Sequence, residues 1–394
     1  MLARQKVSQA SPILRELGVD AWLTFVRETS VTPDPVLELL LGKDVTWQSA
    51  FLVSAGGRAT AIVGSLDAAS VTETGAWPEV VPYVESVKPP LLAWLGEVKP
   101  RTLAINWSDD SEIADGLTHG MFRKLTGYLE GTPHAGTLVS AEGIVSALRE
   151  RKTDDEIRRM REAIDITLRL YDEVGRFLAP GQTEAEVASF LRRRLHQLGL
   201  EPAWAEEHCP SVFAGPDTAG AHFGPTERRI ERGHIVNMDF GVKVEGYCSD
   251  LQRTWYVLRE GETQAPPEVQ RGFDVLLASI RNSFEAIRPG RTGREIDTIA
   301  RSTITDAGYP EYPHALGHQV GRHAHDGAGL LAPPWERYGR RPDLPLQVGQ
   351  VYTLEPRLPV PGHGVVTIEE EIRVTETGAE WLSAPQTELL LVPA

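Results

Sequence analysis

An internal repeat limits this chain to folds built from two equivalent halves. The stretch LAPGQTEAEVASFLRRRLHQLGLEP, residues 178–202, aligns without a gap to IRPGRTGREIDTIARSTITDAGYPE, residues 287–311. In both copies a Pro-Gly turn leads into a Thr followed three residues later by a Glu, Thr183 with Glu186 and Thr292 with Glu295. That spacing is a capping box, in which the Thr oxygen accepts from an amide of the first helical turn and the Glu carboxylate accepts from the Thr amide. Each predicted helix stops at a glycine, Gly199 or Gly308, the residue that most readily takes the left-handed turn past a helix end. Similar punctuation can arise by convergence, but an ungapped match of this length points to a duplicated unit.

The repeat lies wholly in the later part of the chain. Between residues 18 and 64 the runs VDAWLTFV, SAFLVSA and RATAIVGS, followed by RTLAIN and the helical stretch SEIADGLTHGMFRKLTGYL, predict a small α/β domain. Near residue 150 the texture changes to a long charged amphipathic helix, with Thr153 as its N-cap. The boundary falls near residue 145, giving domains 1–145 and 146–394, and a length of 394 residues suits that division. Lys and Arg number 40 against 55 Asp and Glu, a net charge of −15, with no cluster of basic and aromatic residues. Nucleic acid and anionic membranes are therefore not the expected partners. The first residues lack a signal-peptide apolar core and no run is long enough to span a bilayer. Cys209 and Cys248 form no Cys-x-x-Cys pair, so a reducing cytoplasm is the expected setting.

The chemistry concentrates in the second domain. In HIVNMDFGVKVEGYCSDLQRTWYV the residues Val236, Met238, Phe240, Val242 and Val244 alternate with others, predicting a strand with one buried face. Glu245-Gly246 suits a two-residue hairpin turn. Counting back from it sets Val244 against Tyr247 and Asp239 against Gln252, and makes Asp239 and Asp250 diagonal neighbours on one face. Such neighbours lie about 7–8 Å apart, within reach of a shared metal, although two solvated aspartates on an edge hairpin would look the same. Further on, PHALGHQVGRHAHDG places His314, His318, His323 and His325 close together, a density that suggests coordination or proton transfer. VYTLEP and VVTIEEEIRVT are strand-like runs carrying Glu355 and the triplet Glu369, Glu370 and Glu371. Glu369 and Glu371 point to one side, while Glu370 stands anomalously with Val366, Ile368, Ile372 and Val374 on the apolar side. Four carboxylates in one cavity repel one another without cations. Two divalent ions answer them, and oxygen donors with a single imidazole suit manganese, cobalt or zinc.

These segments resemble the pita-bread metallopeptidases, the family of methionine aminopeptidase, aminopeptidase P and prolidase. With its preceding creatinase-like α/β domain the chain is most similar to the Xaa-Pro dipeptidase and aminopeptidase P branch. The resemblance covers nearly the whole chain and implies an α+β catalytic domain with a pseudo-twofold duplication. It carries metal-ligand roles to Asp239 in NMDFG, Asp250 in YCSDLQRT, His318 in HALGHQVG, Glu355 in TLEP and Glu369 in TIEEE. It implies that His222 in GPDTAGAHFGP and His325 in HAHDG act on the scissile carbonyl, that Glu355 also shuttles a proton, and that His314 lines the substrate pocket. His323 and His363 match no family position and are read as surface residues.

Three positions depart from the family pattern. Thr367 stands where an Arg is usual two residues before the last glutamate ligand, Gln252 replaces a common Thr, and Arg357 replaces a common Gly. The first change removes a cation from the substrate end of the cleft, and Arg357 offers one in return. The usual Asn-x-x-Tyr-Leu-type segment is also missing from TFVRETSVTPDPVLELLLG. The activity implied is hydrolysis of the bond before a C-terminal proline by a hydroxide bridging two metals, most simply manganese, in a homodimer. Aminopeptidase P activity on longer peptides, a small non-peptide substrate and a non-catalytic binding role are the alternatives. The last is disfavoured because every metal-ligand position is kept.

Overall fold

The computed structural model describes residues 2–109, 111–216 and 224–394. The chain divides into two compact units, Met1–Arg149 and Glu150–Ala394.

The first unit is built on six strands, β1 (Ala21–Val26), β2 (Ser49–Ser54), β3 (Ala59–Gly64), β4 (Glu79–Tyr83), β5 (Leu103–Ile105) and β6 (Leu138–Ser140), arranged β4-β3-β2-β1-β5-β6. The pairs β1–β2 and β2–β3 are antiparallel, and β4, β5 and β6 add in parallel. Successive side chains of a strand point to opposite faces, so the sheet feeds two cores. Trp22, Phe51, Val53 and Val63 pack with Val7, Ile13 and Leu14 of α1 (Leu2–Leu17). Leu23, Phe25, Leu52 and Ile105 pack with Trp94 and Leu95 of α2 (Lys88–Val98) and Leu125 of α3 (His119–Leu129). The unit is thus α/β, as the sequence implies. The helix expected over 111–129 is shorter, because Thr118 caps α3 by accepting from the Met121 amide. Upstream of it the Leu117 amide donates to the Asn106 carbonyl, and Gly116 lies so near Asp34 that a Cβ there would sit 2.2 Å from its Cγ. Nonlocal contacts hold that segment out of the helix.

In the second unit Thr153 opens α4 (Asp154–Phe177) with a reciprocal capping box to Glu156. The same device starts α5 (Glu184–Leu198) and α7 (Gly293–Asp306), and Gly199 ends α5 in the left-handed conformation. The equivalence of the repeats extends to long-range bonds. Thr183 bridges Arg229 and the Gly181 amide donates to Ile230, while Thr292 bridges Pro345 and the Gly290 amide donates to Leu346. Arg192 and Arg301 occupy matching repeat positions, and each donates to carbonyls of the loop after its helix, those of Glu207 and Cys209 and those of Tyr312 and His314.

Strands β7 (Ser211–Ala214), β8 (Ile235–Phe240) and β9 (Leu251–Val257) form one antiparallel sheet, to which Leu390–Val392 adds in parallel. The second repeat supplies β10 (Gly317–His318), β11 (Val351–Leu354), the hairpin β12 (Arg357–Val360) with β13 (Gly364–Thr367), and β14 (Glu370–Val374) against β11. Phe273 and Leu276 of α6 (Pro267–Ala286) and Ile296 and Ile304 of α7 pack with Leu354, Leu358 and Ile372. The expected hairpin register is observed, with Val244 opposite Tyr247 and Asp239 opposite Gln252. Glu245 and Gly246 have φ of 46° and 80°, the double positive φ of a type I′ turn. The strand is not one-faced, however, since Asn237, Gln252 and Thr254 on its other side are also buried. The run VVTIEEEIRVT is two strands rather than one, because β13 pairs with β12 and β14 with β11. Among the described residues no helix is long and apolar enough to cross a membrane.

Candidate metal centre

Four separate strand ends bring carboxylates together around one imidazole. Asp239 lies on β8 and Asp250 just before β9, so the hairpin register aims both at the same space. Glu369 stands in the break between β13 and β14, bridged to Gln252 by main-chain bonds. Glu355 follows β11, its amide donating to the Leu316 carbonyl. His318 ends β10, and its Nε2 lies 3.3 Å from Glu355 Oε1, 3.8 Å from Asp250 Oδ2 and 3.8 Å from Glu369 Oε1. Ligand atoms of Asp250, His318 and Glu369 fall within 4.8 Å of one another. His318 Nδ1 is 3.3 Å from the Gln319 carbonyl oxygen. A carbonyl only accepts, so Nδ1 carries the proton and Nε2 presents its lone pair to the carboxylates, the usual orientation of a metal-binding histidine.

Local packing leaves this loop little freedom. Thr353 Oγ1 accepts from the His318 amide (3.1 Å) and donates to Glu355 Oε1 (3.4 Å). A Cβ on Gly317 would lie 2.0 Å from the Thr353 carbonyl oxygen. Glu371 accepts from the Asp250 amide at 2.8 Å. Glu370 meets Arg253 at 3.0 Å and accepts from Ser383 and the Gln386 amide, which removes the anomaly of a carboxylate on an apolar face.

The electrostatics call for cations. Burial pushes the Asp239 carboxyl up to about 7 and the Glu371 carboxyl up to about 8. Burial, then the charges of neighbouring carboxylates, drives Asp250, Glu355 and Glu369 well above the ordinary carboxylate range. Asp239 Oδ1 and Glu369 Oε1 are buried without a hydrogen-bond partner. Buried carboxylate oxygens are nearly always bonded or ion-paired, so oxygens left open beside an imidazole lone pair fit divalent metal ions.

Other residues fall into place around this cluster. The His325 ring meets His318 edge-on with centroids 4.2 Å apart and is exposed. His314 is half-buried beside Tyr312, and Arg301 holds its carbonyl. Arg357 is half-buried at the start of β12. His222 lies outside the described residues. His323 is exposed as expected, but His363 is not a surface residue. It is buried because the Gly233 carbonyl (2.7 Å) and Glu268 (3.3 Å) satisfy its two ring nitrogens. Sequence reasoning missed the parts played by Gln252 and Thr367. Thr367 Oγ1 donates to Gln252 Oε1 (2.7 Å), and Gln252 Nε2 donates to Glu369 Oε2 at 2.8 Å and lies 3.5 Å from Glu355 Oε2.

Residues 158–376, which include every described residue of this cluster, match the model of metallopeptidase family M24. The chain belongs to this family. Peptidases of Staphylococcus saprophyticus and Staphylococcus aureus, both described as uncharacterized, are 32% identical to this M24 protein over 240 residues, 61% of its length. The match spans 64% of those relatives, under two thirds of their length. Among solved structures, the Xaa-Pro dipeptidase from Bacillus anthracis is similar with a TM-score of 0.74 at 26% identity, over 99% of this chain and 100% of that one. Dipeptidase PepE from Mycobacterium ulcerans gives 0.71 at 26% identity over 100% and 98%. The prolidase from Pyrococcus horikoshii gives 0.69 at 25% over 98% and 99%. The M24 protein therefore has the pita-bread architecture, preceded by an α/β unit, that its sequence motifs imply.

Proposed function

We propose that the protein is an Xaa-Pro dipeptidase that uses two divalent metal ions, manganese in the simplest case, to hydrolyse the bond before a C-terminal proline. The observation that carries this reading is His318 Nε2 set among Asp250, Glu355 and Glu369 with open carboxylate oxygens beside it. Asp239, Asp250, His318, Glu355 and Glu369 would hold the ions. Ions bound there supply a water of lowered pKa and polarise the scissile carbonyl.

The chain's own residues account for the rest of the chemistry. Thr353 and the Leu316 carbonyl hold Glu355 by its side chain and amide, which supports a role for its carboxylate in passing a proton to the leaving proline nitrogen. His325 is exposed beside His318, which supports a role in donating to the carbonyl oxygen as negative charge develops there. The motif around His222 supports the same role for that residue. His314, backed by Tyr312 and held at its carbonyl by Arg301, lines the pocket for the substrate.

Cys209 and Cys248 are free, buried thiols, which suits a reducing cytoplasm. Dimerisation rests on the family resemblance, and sedimentation at micromolar concentration tests it. Metal titration of the stripped protein tests the centre itself. Two ions bound per chain, both lost in Asp250→Ala, support it, and no binding in the intact protein refutes it.

A further inference from the structure

Among the described residues, the second unit contains a cation with no acid to answer it. Arg357 begins β12 and stands directly opposite Thr367 of β13. Directly opposed residues of an antiparallel pair project to the same face with Cβ atoms about 4.5–5.5 Å apart. The Thr367 side chain shows where that face leads, through its bond to Gln252 and from Gln252 to Glu369. Arg357 therefore lies beside the carboxylate cluster, separated from it by two neutral side chains. Among the described residues its guanidinium makes no hydrogen bond or ion pair, although the residue is half-buried. Among the described residues, the fully buried arginines of this unit are matched by acids, Arg253 by Glu370 and Arg301 by Asp297.

Withdrawing a guanidinium from water without a partner is unfavourable, and an anion that arrives with the substrate offsets it. The neighbouring carboxylates do not take that place. Gln252, itself held by Thr367, donates to Glu369 Oε2 from a neutral amide and stands between that carboxylate and the strand pair that carries Arg357. In a dipeptide the free carboxylate sits one residue, about 3.8 Å along the chain, beyond the scissile carbonyl. An anion subsite for it has to adjoin the reacting cluster, as Arg357 does. The planar guanidinium matches a carboxylate in a two-bond fork.

We propose that Arg357 binds the free C-terminal carboxylate of the dipeptide, and that the neutral Gln252–Thr367 pair separates this cation from the metal-binding carboxylates. The assignment rests on the dipeptidase reading above. It makes substrate length a matter of charge, since a further residue after proline moves the carboxylate off Arg357.

The test compares Leu-Pro with Leu-prolinamide, which lacks the carboxylate, using manganese-loaded wild type, Arg357→Gln and Arg357→Lys. Arg357→Gln is expected to lower the acid-to-amide ratio of kcat/KM by roughly 30-fold or more, the scale of losing one charged hydrogen-bond partner. The loss falls on KM rather than kcat, and Arg357→Lys recovers part of it. An unchanged ratio in folded, metal-binding Arg357→Gln overturns the assignment while leaving the dipeptidase reading intact. Wild type that binds metal and cleaves neither compound overturns the dipeptidase reading and this assignment with it.

Discussion

The buried pair between Arg253 and Glu370 gives a sharp test of how the centre is supported. Their side chains are 5% and 1% exposed and meet at 3.0 Å. Glu370 also accepts from Arg253 a second time (3.2 Å), from Ser383 and from the Gln386 amide at 2.8 Å. Arg253 in turn donates to the carbonyls of Gln252 and Glu369, so the pair braces the main chain on both sides of the carboxylate cluster. Glu370→Ala leaves a buried guanidinium without its counter-charge and the Ser383 hydroxyl and Gln386 amide without their acceptor, which costs about 3–5 kcal/mol for a buried pair. For a unit of this size each kcal/mol lowers the midpoint by about 2–4 °C. The expected fall is therefore about 6–20 °C, read by differential scanning calorimetry with metal present. The double variant Arg253→Met with Glu370→Leu removes both charges and should regain most of the loss, because desolvation offsets much of a buried pair's attraction. A fall below about 2 °C for Glu370→Ala, or a double variant at least as unstable as the single one, would refute the reasoning.

Further outcomes follow from the same geometry. Asp250→Ala should abolish metal binding and activity together, whereas His325→Ala should keep the metal and lower kcat by about 100-fold or more. Matched metal titration and kinetics separate the two cases, and equal metal loss in both variants would contradict the assigned roles. Asp239 and Glu371 have carboxyls raised to about 7 and about 8 from ordinary values of 3.8 and 4.5. Groups raised in this way stabilise the fold fully at acid pH and lose that contribution as pH climbs through the raised values. The stripped protein should therefore lose thermal stability between about pH 4 and 8, and the gain on adding manganese should grow over that range. A gain that shrinks with pH would contradict this. Gly317→Ala places a Cβ against the Thr353 carbonyl. It should cost about 1–3 kcal/mol by overpacking and weaken metal binding through His318, both measurable by melting and titration.

What the sequence disclosed was mostly local. Capping boxes at Thr183 and Thr292 span three residues, so their helices could be placed from residue types alone. The two-residue turn at Glu245-Gly246 carried the hairpin register out to Asp239 and Asp250. Nonlocal partners left no comparable mark. Gln252 and Thr367 lie 115 positions apart, and Arg253 and Glu370 lie 117 apart, so neither pairing has a periodicity to betray it. Glu370 looked misplaced only because its arginine was out of view. His363 looked superficial because neither the Gly233 carbonyl nor Glu268 is near it in the chain. The alternation of VVTIEEEIRVT read as one strand, and the change of pairing partner around Ile368 and Glu369 is a tertiary fact.

The central claim is that this centre cleaves dipeptides ending in proline. Its most direct test is the release of leucine from Leu-Pro and from Leu-Pro-Gly by metal-stripped protein resupplied with manganese. Rapid cleavage of Leu-Pro with little or none of Leu-Pro-Gly is the predicted result. Preference for the tripeptide, or cleavage of neither by protein that has bound its metal, would contradict it.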